Sequence, residues 1–128
     1  QIVPLICERT IHERFKMDRM QNIIQSAMIQ SQQAWLPSLS EPIALNAFMQ
    51  QNKASVNLIA HCEPRDKKNI KEISAVDDVN LLIGPEGDFS SAEIATAATN
   101  NYTPIHLGPT RLRTETAGIF ALSVLKIF

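Results

Sequence analysis

Twice in its second half the chain runs from a short apolar stretch through Gly-Pro into a helix start. Leu81-Leu82-Ile83 leads into Gly84-Pro85-Glu86-Gly87-Asp88 and then Ser90-x-x-Glu93. Ile105-His106-Leu107 leads into Gly108-Pro109 and then Thr114-Glu115-Thr116. The first apolar run, Val79 to Ile83, is nearly continuous, as in a strand covered on both faces by helices. Strands that alternate with helices in this way specify an α/β fold with a largely parallel sheet.

The remaining segments continue the alternation. Residues 2–7 form a short strand, with Pro4 placing it at an edge or a bend. From Met17 to Gln33 the apolar residues Met17, Met20, Ile23, Ile24, Ala27 and Met28 follow helical spacing. Trp35-Leu36-Pro37 reads as a short strand and turn. Pro42 suits the first position of a helix over residues 43–50. Residues 55–61 form a strand, and the charged stretch 65–71 is expected on the surface. Ser90 and Glu93 match a capping box that opens a helix reaching Asn100. A strand over residues 103–107 and a helix over 114–128 complete the order.

A chain of 128 residues is expected to form one domain with a single core. Its net charge of −1 offers no general attraction to a polyanion. Cys7 and Cys62 lack metal-ligand spacing and read as buried free thiols, which suits a reducing compartment. No apolar run is long enough for a membrane helix. The chain opens with Gln1 inside an element, so it is expected to be a fragment cut from a longer protein.

Gly84 and Gly87 permit close approach of a ligand to the backbone, at the carboxyl end of a strand where α/β proteins bind ligands. No phosphate-loop or dinucleotide fingerprint is present, and Glu86 and Asp88 would repel a phosphate. A neutral or cationic ligand fits better; a tight connection with no ligand fits the spacing equally well. In the second turn Arg111 and Arg113 flank Leu112. Thr114 or Thr116 can cap the helix, with Glu115 favourable in its first turn and able to pair with Arg113. One acidic and one basic Gly-Pro turn at neighbouring strand ends suggest a shared pocket.

The motifs "IGPEGDFSSAEI" and "LGPTRLRTETAGIFAL" resemble the C-terminal half of the bacterial 16S rRNA uridine-N3 methyltransferases of the SPOUT superfamily. The usual pattern there is Gly-Pro-Glu-Gly-Gly-Phe, a nearby Glu, then Leu-Gly-x-Arg-Ile-Leu-Arg-Thr-Glu-Thr-Ala. The matching residues are Gly84, Pro85, Glu86, Gly87, Phe89, Glu93, Leu107, Gly108, Leu112, Arg113, Thr114, Glu115, Thr116 and Ala117. "PLICERT" and "SAMIQSQQAWLP" are more loosely similar to earlier family segments. The chain departs from the pattern at Asp88 (usually Gly), at Thr110 (usually Arg, with Arg111 one place later) and at Gln33.

The resemblance implies a SPOUT α/β knot spanning residues 1–128, with a largely parallel sheet and a deep C-terminal trefoil knot. It implies a cytoplasmic homodimer that uses S-adenosylmethionine to methylate N3 of a uridine in 16S rRNA of the small ribosomal subunit, without a metal. An N-terminal, PUA-like RNA-binding barrel would precede Gln1. The cofactor would be held by Ile83, Gly84, Pro85, Glu86, Gly87, Leu107, Gly108, Leu112, Arg113, Thr114, Glu115, Thr116 and Ala117. His61, at the end of its strand, would join them. Arg113 and Glu115 are the candidate catalytic residues: Arg113 to stabilise negative charge on the uracil or hold RNA phosphate, Glu115 as a base or as a carboxylate that orients Arg113. Arg9 and Arg111 are candidate RNA contacts. The alternatives are another SPOUT enzyme acting on 2′-hydroxyls or on tRNA, and a non-catalytic RNA-binding or dimerisation module.

Overall fold

The protein was analysed as a computed structural model, which describes residues 1–11, 14–51, 53–74 and 77–125. Along the chain lie β1 (Leu5–Ile6), α1 (Met17–Gln30), β2 (Ile43–Ala44), α2 (Leu45–Gln51) and β3 (Val56–Ala60). Then come β4 (Lys68–Asn69), a 3₁₀ turn (Ile70–Glu72), β5 (Val79–Ile83), α3 (Ser91–Thr99), β6 (Thr103–His106) and α4 (Thr114–Leu125). The end of the expected last helix, residues 126–128, lies outside the described residues.

The main sheet has the order β4-β6-β3-β5, and β1 and β2 form a two-stranded sheet. The pairings between these strands are all parallel, as the apolar runs imply. Side chains alternate across the sheet. Ile59 and Leu82 point to one face and join Phe48 and Met49 of α2 and Ile94 and Ala97 of α3. Leu58 and Ile105 point to the other and meet Ile70 with Ala121 and Leu125 of α4. Each face therefore has its own helical cover, which is why β3 and β5 are almost wholly apolar. Their polar residues are a matched pair: Asn57 and Asn80 are register partners, and the Asn80 amide donates to Asn57 Oδ1 at 3.0 Å.

The register sets up the site. Ala60 is level with Ile83 on one side and with Ile105 on the other. Three strands thus end at one height, and the turns after them rise from the same edge of the sheet.

Helix α3 begins as expected. Ser90 Oγ accepts from the Glu93 amide at 3.2 Å, and Glu93 Oε2 accepts from the Ser90 amide at 2.8 Å. The second carboxylate oxygen does more than a capping box requires: Glu93 Oε1 accepts from the Glu8 amide at 2.7 Å, tying the start of the chain to α3. Glu93 is buried. Glu93→Ala strands two amides at once and is expected to destabilise the fold by about 2–4 kcal/mol. A urea titration would show this as a lower midpoint at unchanged slope; a midpoint within error of the parent would remove the carboxylate from its role.

Four expectations are corrected. Pro42 opens no helix: Ile43 and Ala44 pair with Leu5 and Ile6, and the helix starts at Leu45. A local helix signal is overridden because Ile43 N–H finds Pro4 O at 3.0 Å. Trp35-Leu36-Pro37 forms no strand, and Trp35 is 86% exposed; Leu39 makes the bridge to Ile2 instead. The charged stretch 65–71 is not simply surface, because Lys68–Asn69 pairs with β6 and Ile70 is fully buried. Helix α1 stops at Gln30, since Gln32 adopts φ 56° and the Gln33 amide turns back to Met28 O at 3.0 Å. That is a Schellman ending without glycine.

The thiols also differ from expectation. Both are free, but only Cys7 is buried. Burial and the nearby Glu93 charge push its pKa up to about 11, against a hydrogen bond with Thr10. Cys62 is exposed, beside the site described next.

Candidate active site

The turns after β3, β5 and β6 enclose a cavity of about 530 Å³. That is within the range of small-molecule sites. Its apolar lining comes from Ala60, Ile83, Ile105, Leu107, Leu112 and Ala117, and its polar lining includes His61, Lys67, Glu86, Asp88, Arg111 and Arg113.

The acidic turn, residues 84–88, is held from several sides. Asp88 N–H closes it on Pro85 O at 2.8 Å. Gly84 O accepts from the Thr114 hydroxyl at 2.8 Å, and Glu86 O accepts from the Arg111 guanidinium at 3.1 Å. Gly87 O accepts from the Arg9 guanidinium at 2.8 Å. The two Gly-Pro turns are therefore stitched together by Thr114 and Arg111. The expected role of Thr114 as a helix cap gives way here to a cross-turn bond. A Cβ on Gly84 would sit 3.2 Å from the Phe89 ring, so glycine there lets the turn lie flat on the core.

Asp88 has a geometric explanation. Its φ is 64°, the left-handed region where glycine is at ease and Asp is among the tolerated residues. Its carboxylate then bonds in two directions, accepting from Phe89 N–H and from Cys62 N–H, each at 2.8 Å. A glycine could hold the same turn but could not join it to the segment after β3.

His61 is the most unusual residue of the site. It is 5% exposed, and neither ring nitrogen has a hydrogen-bond partner among the described residues. Its carbonyl accepts from Lys67 Nζ at 2.9 Å. Burial, and then the Lys67 charge, push its pKa below the ordinary 6.5; Asp88 and Glu63 oppose this, and Arg65 adds to it. The ring is thus neutral at pH 7. Because the folded value is depressed, His61 supports the fold above about pH 6.5, and this support is lost as pH falls through the folded value. Acidification from pH 7 is expected to lower the melting temperature less steeply in His61→Gln than in the parent; parallel slopes would place the sensitive group elsewhere.

Of the residues expected at the site, His61, Ile83, Gly84, Pro85, Glu86, Leu107, Gly108, Leu112, Arg113, Thr114, Ala117 and Arg111 line the cavity. Gly87, Glu115 and Thr116 stand outside its lining, as does Arg9. Gly87 faces the other way: a Cβ there would meet Arg9 at 3.2 Å. The expected Arg113–Glu115 pair is absent, and Arg113 makes no side-chain hydrogen bond or ion pair with any described residue. Lys67, Cys62 and His106 line the cavity without having been expected there, and Asp88, expected in the ligand turn but not among the cofactor contacts, lines it too. Spacing reveals the two Gly-Pro turns alone; Lys67 arrives through the β4 pairing. Among the described residues no group of His, Cys, Asp and Glu could hold a metal ion. No helix among them is long and apolar enough to cross a membrane.

An S-adenosylmethionine-sized ligand suits this lining. The flat, neutral end of such a molecule needs apolar walls and nearby backbone, which the two Gly-Pro turns provide. Two buried ring nitrogens of His61 await partners that the described residues do not supply.

Known proteins agree with the geometry. Residues 1–126 match the family model of the RNA methyltransferase domain. A ribosomal RNA small subunit methyltransferase E from Synechocystis is 30% identical over 127 residues, covering 94% of this chain and 42% of that protein. A Legionella pneumophila protein solved in complex with the bound cofactor SAM superposes with a TM-score of 0.90 at 39% identity, over 97% of this chain and 53% of that one. A Neisseria gonorrhoeae ribosomal RNA small subunit methyltransferase E bound to S-adenosyl methionine gives 0.80 at 28% identity, over 96% and 51%. The chain thus spans about half the length of these relatives. With its fold, its two stitched turns and a match over nearly every residue, the chain belongs to the RNA methyltransferase domain family.

Proposed function

We propose that this chain is the catalytic domain of an S-adenosylmethionine-dependent enzyme that methylates N3 of a uridine in 16S rRNA of the small ribosomal subunit. The observation that carries the reading is the cavity where three level strand ends deliver two Gly-Pro turns. In the full protein an N-terminal RNA-binding barrel precedes the domain and supplies most of the rRNA affinity, in the cytoplasm. This accounts for a net charge of only −1 in a domain that works on a polyanion.

The cofactor, when bound, supplies an activated methyl group on a sulfonium. The chain's residues hold it and manage charge on the base. Ile83, Leu107 and Leu112 provide apolar walls, and the turn backbones provide donors and acceptors at short range. Uracil N3 carries a proton at neutral pH, so the site must remove it or stabilise the anion. Arg113, free of partners among the described residues, is placed to meet negative charge on the uracil oxygens or a phosphate. Glu115 is exposed and outside the cavity lining, so its share in the chemistry depends on RNA or a second subunit reaching it. Arg111 and Arg9, both engaged with carbonyls of the acidic turn, shape that turn and offer their outer faces to RNA.

The domain works as a homodimer. What supports this is apolar surface without a cover: α1 has no buried residue, with Ile23 51% and Ile29 66% exposed, and Ile119 on α4 is 69% exposed. We also propose the C-terminal trefoil knot; its support is that the last strand, β6, inserts between β4 and β3 before α4 runs back beneath the sheet.

Isothermal titration of the folded dimer with S-adenosylmethionine tests the reading. A one-to-one complex per chain is expected. No heat from a folded, dimeric sample would leave the non-catalytic module as the better description.

A further inference from the structure

The small sheet of β1 and β2 has one covered face and one open face. Val3, Leu5 and Ile43 pack against the core. Ile2 and Ile6, out of step with Val3 and Leu5, are 45% and 43% exposed. The open apolar surface continues into residues 34–37, where Trp35 is 86% and Leu36 55% exposed.

This exposure does not come from a loose loop. Upstream, the Ser31 and Gln33 amides fix the end of α1 by donating to Ala27 O and Met28 O, each at 3.0 Å. Downstream, Ser38 O accepts from the Ile2 amide at 2.7 Å, and the Ser40 amide donates to Ile2 O at 3.0 Å. Trp35 and Leu36 are held out to solvent on a short span anchored at both ends. Apolar groups on a fixed backbone lose little freedom when a partner covers them.

The register shows what passes closest. The Ile2–Leu39 bridge is parallel, as are the pairs Leu5–Ile43 and Ile6–Ala44. In a parallel pair, the upstream end of one strand lies beside the upstream end of the other. A chain that enters at Gln1 is therefore directed past Trp35, Leu36 and Pro37 before it reaches Ile2.

The strip also defines the chemistry of its partner. From Met20 to Ser40 no residue is charged. RNA affinity comes largely from cations on phosphate, so this strip has nothing to offer a polyanion. An exposed Trp in surroundings free of charge is instead the composition of a protein–protein contact. We propose that Trp35 and Leu36, together with Ile2, are the seat on which the N-terminal barrel packs as it leads into residue 1. The inference rests on the barrel proposed above. This chain covers 42% of its Synechocystis relative and 53% of the Legionella pneumophila protein, which leaves length for a domain of similar size. A barrel seated here keeps a fixed angle to the cavity, so the RNA it holds meets the site in one orientation.

Photo-crosslinking of the full-length protein tests the seat. Benzoylphenylalanine in place of Trp35 keeps an aromatic group at an exposed position, so the fold should be unaffected, and it reacts with what lies against it. The expected product is a crosslink within one chain, of unchanged mass, that maps to residues before Gln1. A product of doubled mass would give the patch to a second copy, and a crosslink to RNA would give it to the substrate. No crosslink outside residues 1–128 would leave the patch uncovered. Each of these three outcomes overturns the proposal. In a second arm, Trp35→Gln combined with Leu36→Gln should speed protease cleavage between barrel and catalytic domain about tenfold, the loss of one aromatic anchor. Binding of S-adenosylmethionine by the same variant should stay within about twofold of the parent. Cleavage at the parent rate would also overturn the seat. An intact mass that leaves no room for a domain before Gln1 would overturn the barrel reading itself.

Discussion

On the function proposed above, replacing Arg113 by alanine is expected to slow methyl transfer to RNA by about 10²–10³-fold, the usual loss when one preorganised donor to developing charge is removed. The size of the effect follows from what the guanidinium does not do in the free protein. It has no hydrogen bond or ion pair with a described residue, Glu115 included, so its donors are unspent. It lines the cavity at the start of α4, where docked RNA would exclude water and strengthen any charge contact. Its backbone carbonyl, which accepts from Ala117 N–H at 2.8 Å, is retained in the alanine variant, so α4 should start unchanged. Single-turnover methylation by the full-length protein, with titration of S-adenosylmethionine in parallel, gives the readout. The rate should fall while cofactor affinity changes little. Arg113→Lys should lie between, because a point charge replaces a planar fork of donors. Full activity in Arg113→Ala would strip the residue of its role.

Phe89→Ala is expected to cost about 3–5 kcal/mol of stability, a large part of the reserve of a typical domain. Phe89 is among the largest fully buried side chains, in the cluster with Leu82, Ile94 and Ala97. Its ring is also the floor of the acidic turn, against the position a Gly84 Cβ would take. The cavity left by the truncation therefore opens directly beneath the ligand site. The melting temperature should drop by roughly 10–20 °C, and affinity for S-adenosylmethionine should fall in the fraction that remains folded. Phe89→Leu, which keeps most of the volume, should cost clearly less. A drop of only a few degrees in Phe89→Ala would mean that the core closes around the gap and that the turn does not depend on the ring.

The parts of the molecule legible in the sequence are those built by neighbours along the chain. The β5 run, the capping box at Ser90 and Glu93, and the two Gly-Pro turns are each marked by residue types within a few positions, even where distant bonds complete them. The parts that were not legible depend on distant partners. Ile43 is a strand residue only because Leu5 lies beside it, and Ile70 is buried only because β4 pairs with β6. The same separation divides the site. The turn backbones, Asp88 included, follow from glycine and proline, whereas Lys67 enters the cavity because the segment after β3 leads into β4 beside β6. Matching a motif also does not place every member of it at the ligand. Gly87 and Thr116 stand in matched positions and outside the cavity lining, Gly87 because its open side is filled by Arg9. Asp88 is opaque as a letter and intelligible as an angle, since its φ of 64° explains both the usual glycine and the tolerated aspartate.

The bonds that hold the acidic turn come from both ends of the molecule. Arg9 reaches Gly87 across 78 positions, Arg111 reaches Glu86 across 25, and Thr114 reaches Gly84 across 30. Contacts of such long span form late in folding, after their loop-closure entropy has been met. Two of these three bonds come from residues that follow the turn in the chain, so residues 84–88 gain their full set of supports only once Arg111 and Thr114 have been made. The cavity is in this sense a proof of completion: a chain that stops before residue 111 still carries every strand, but it lacks two of the bonds that hold the turn in place.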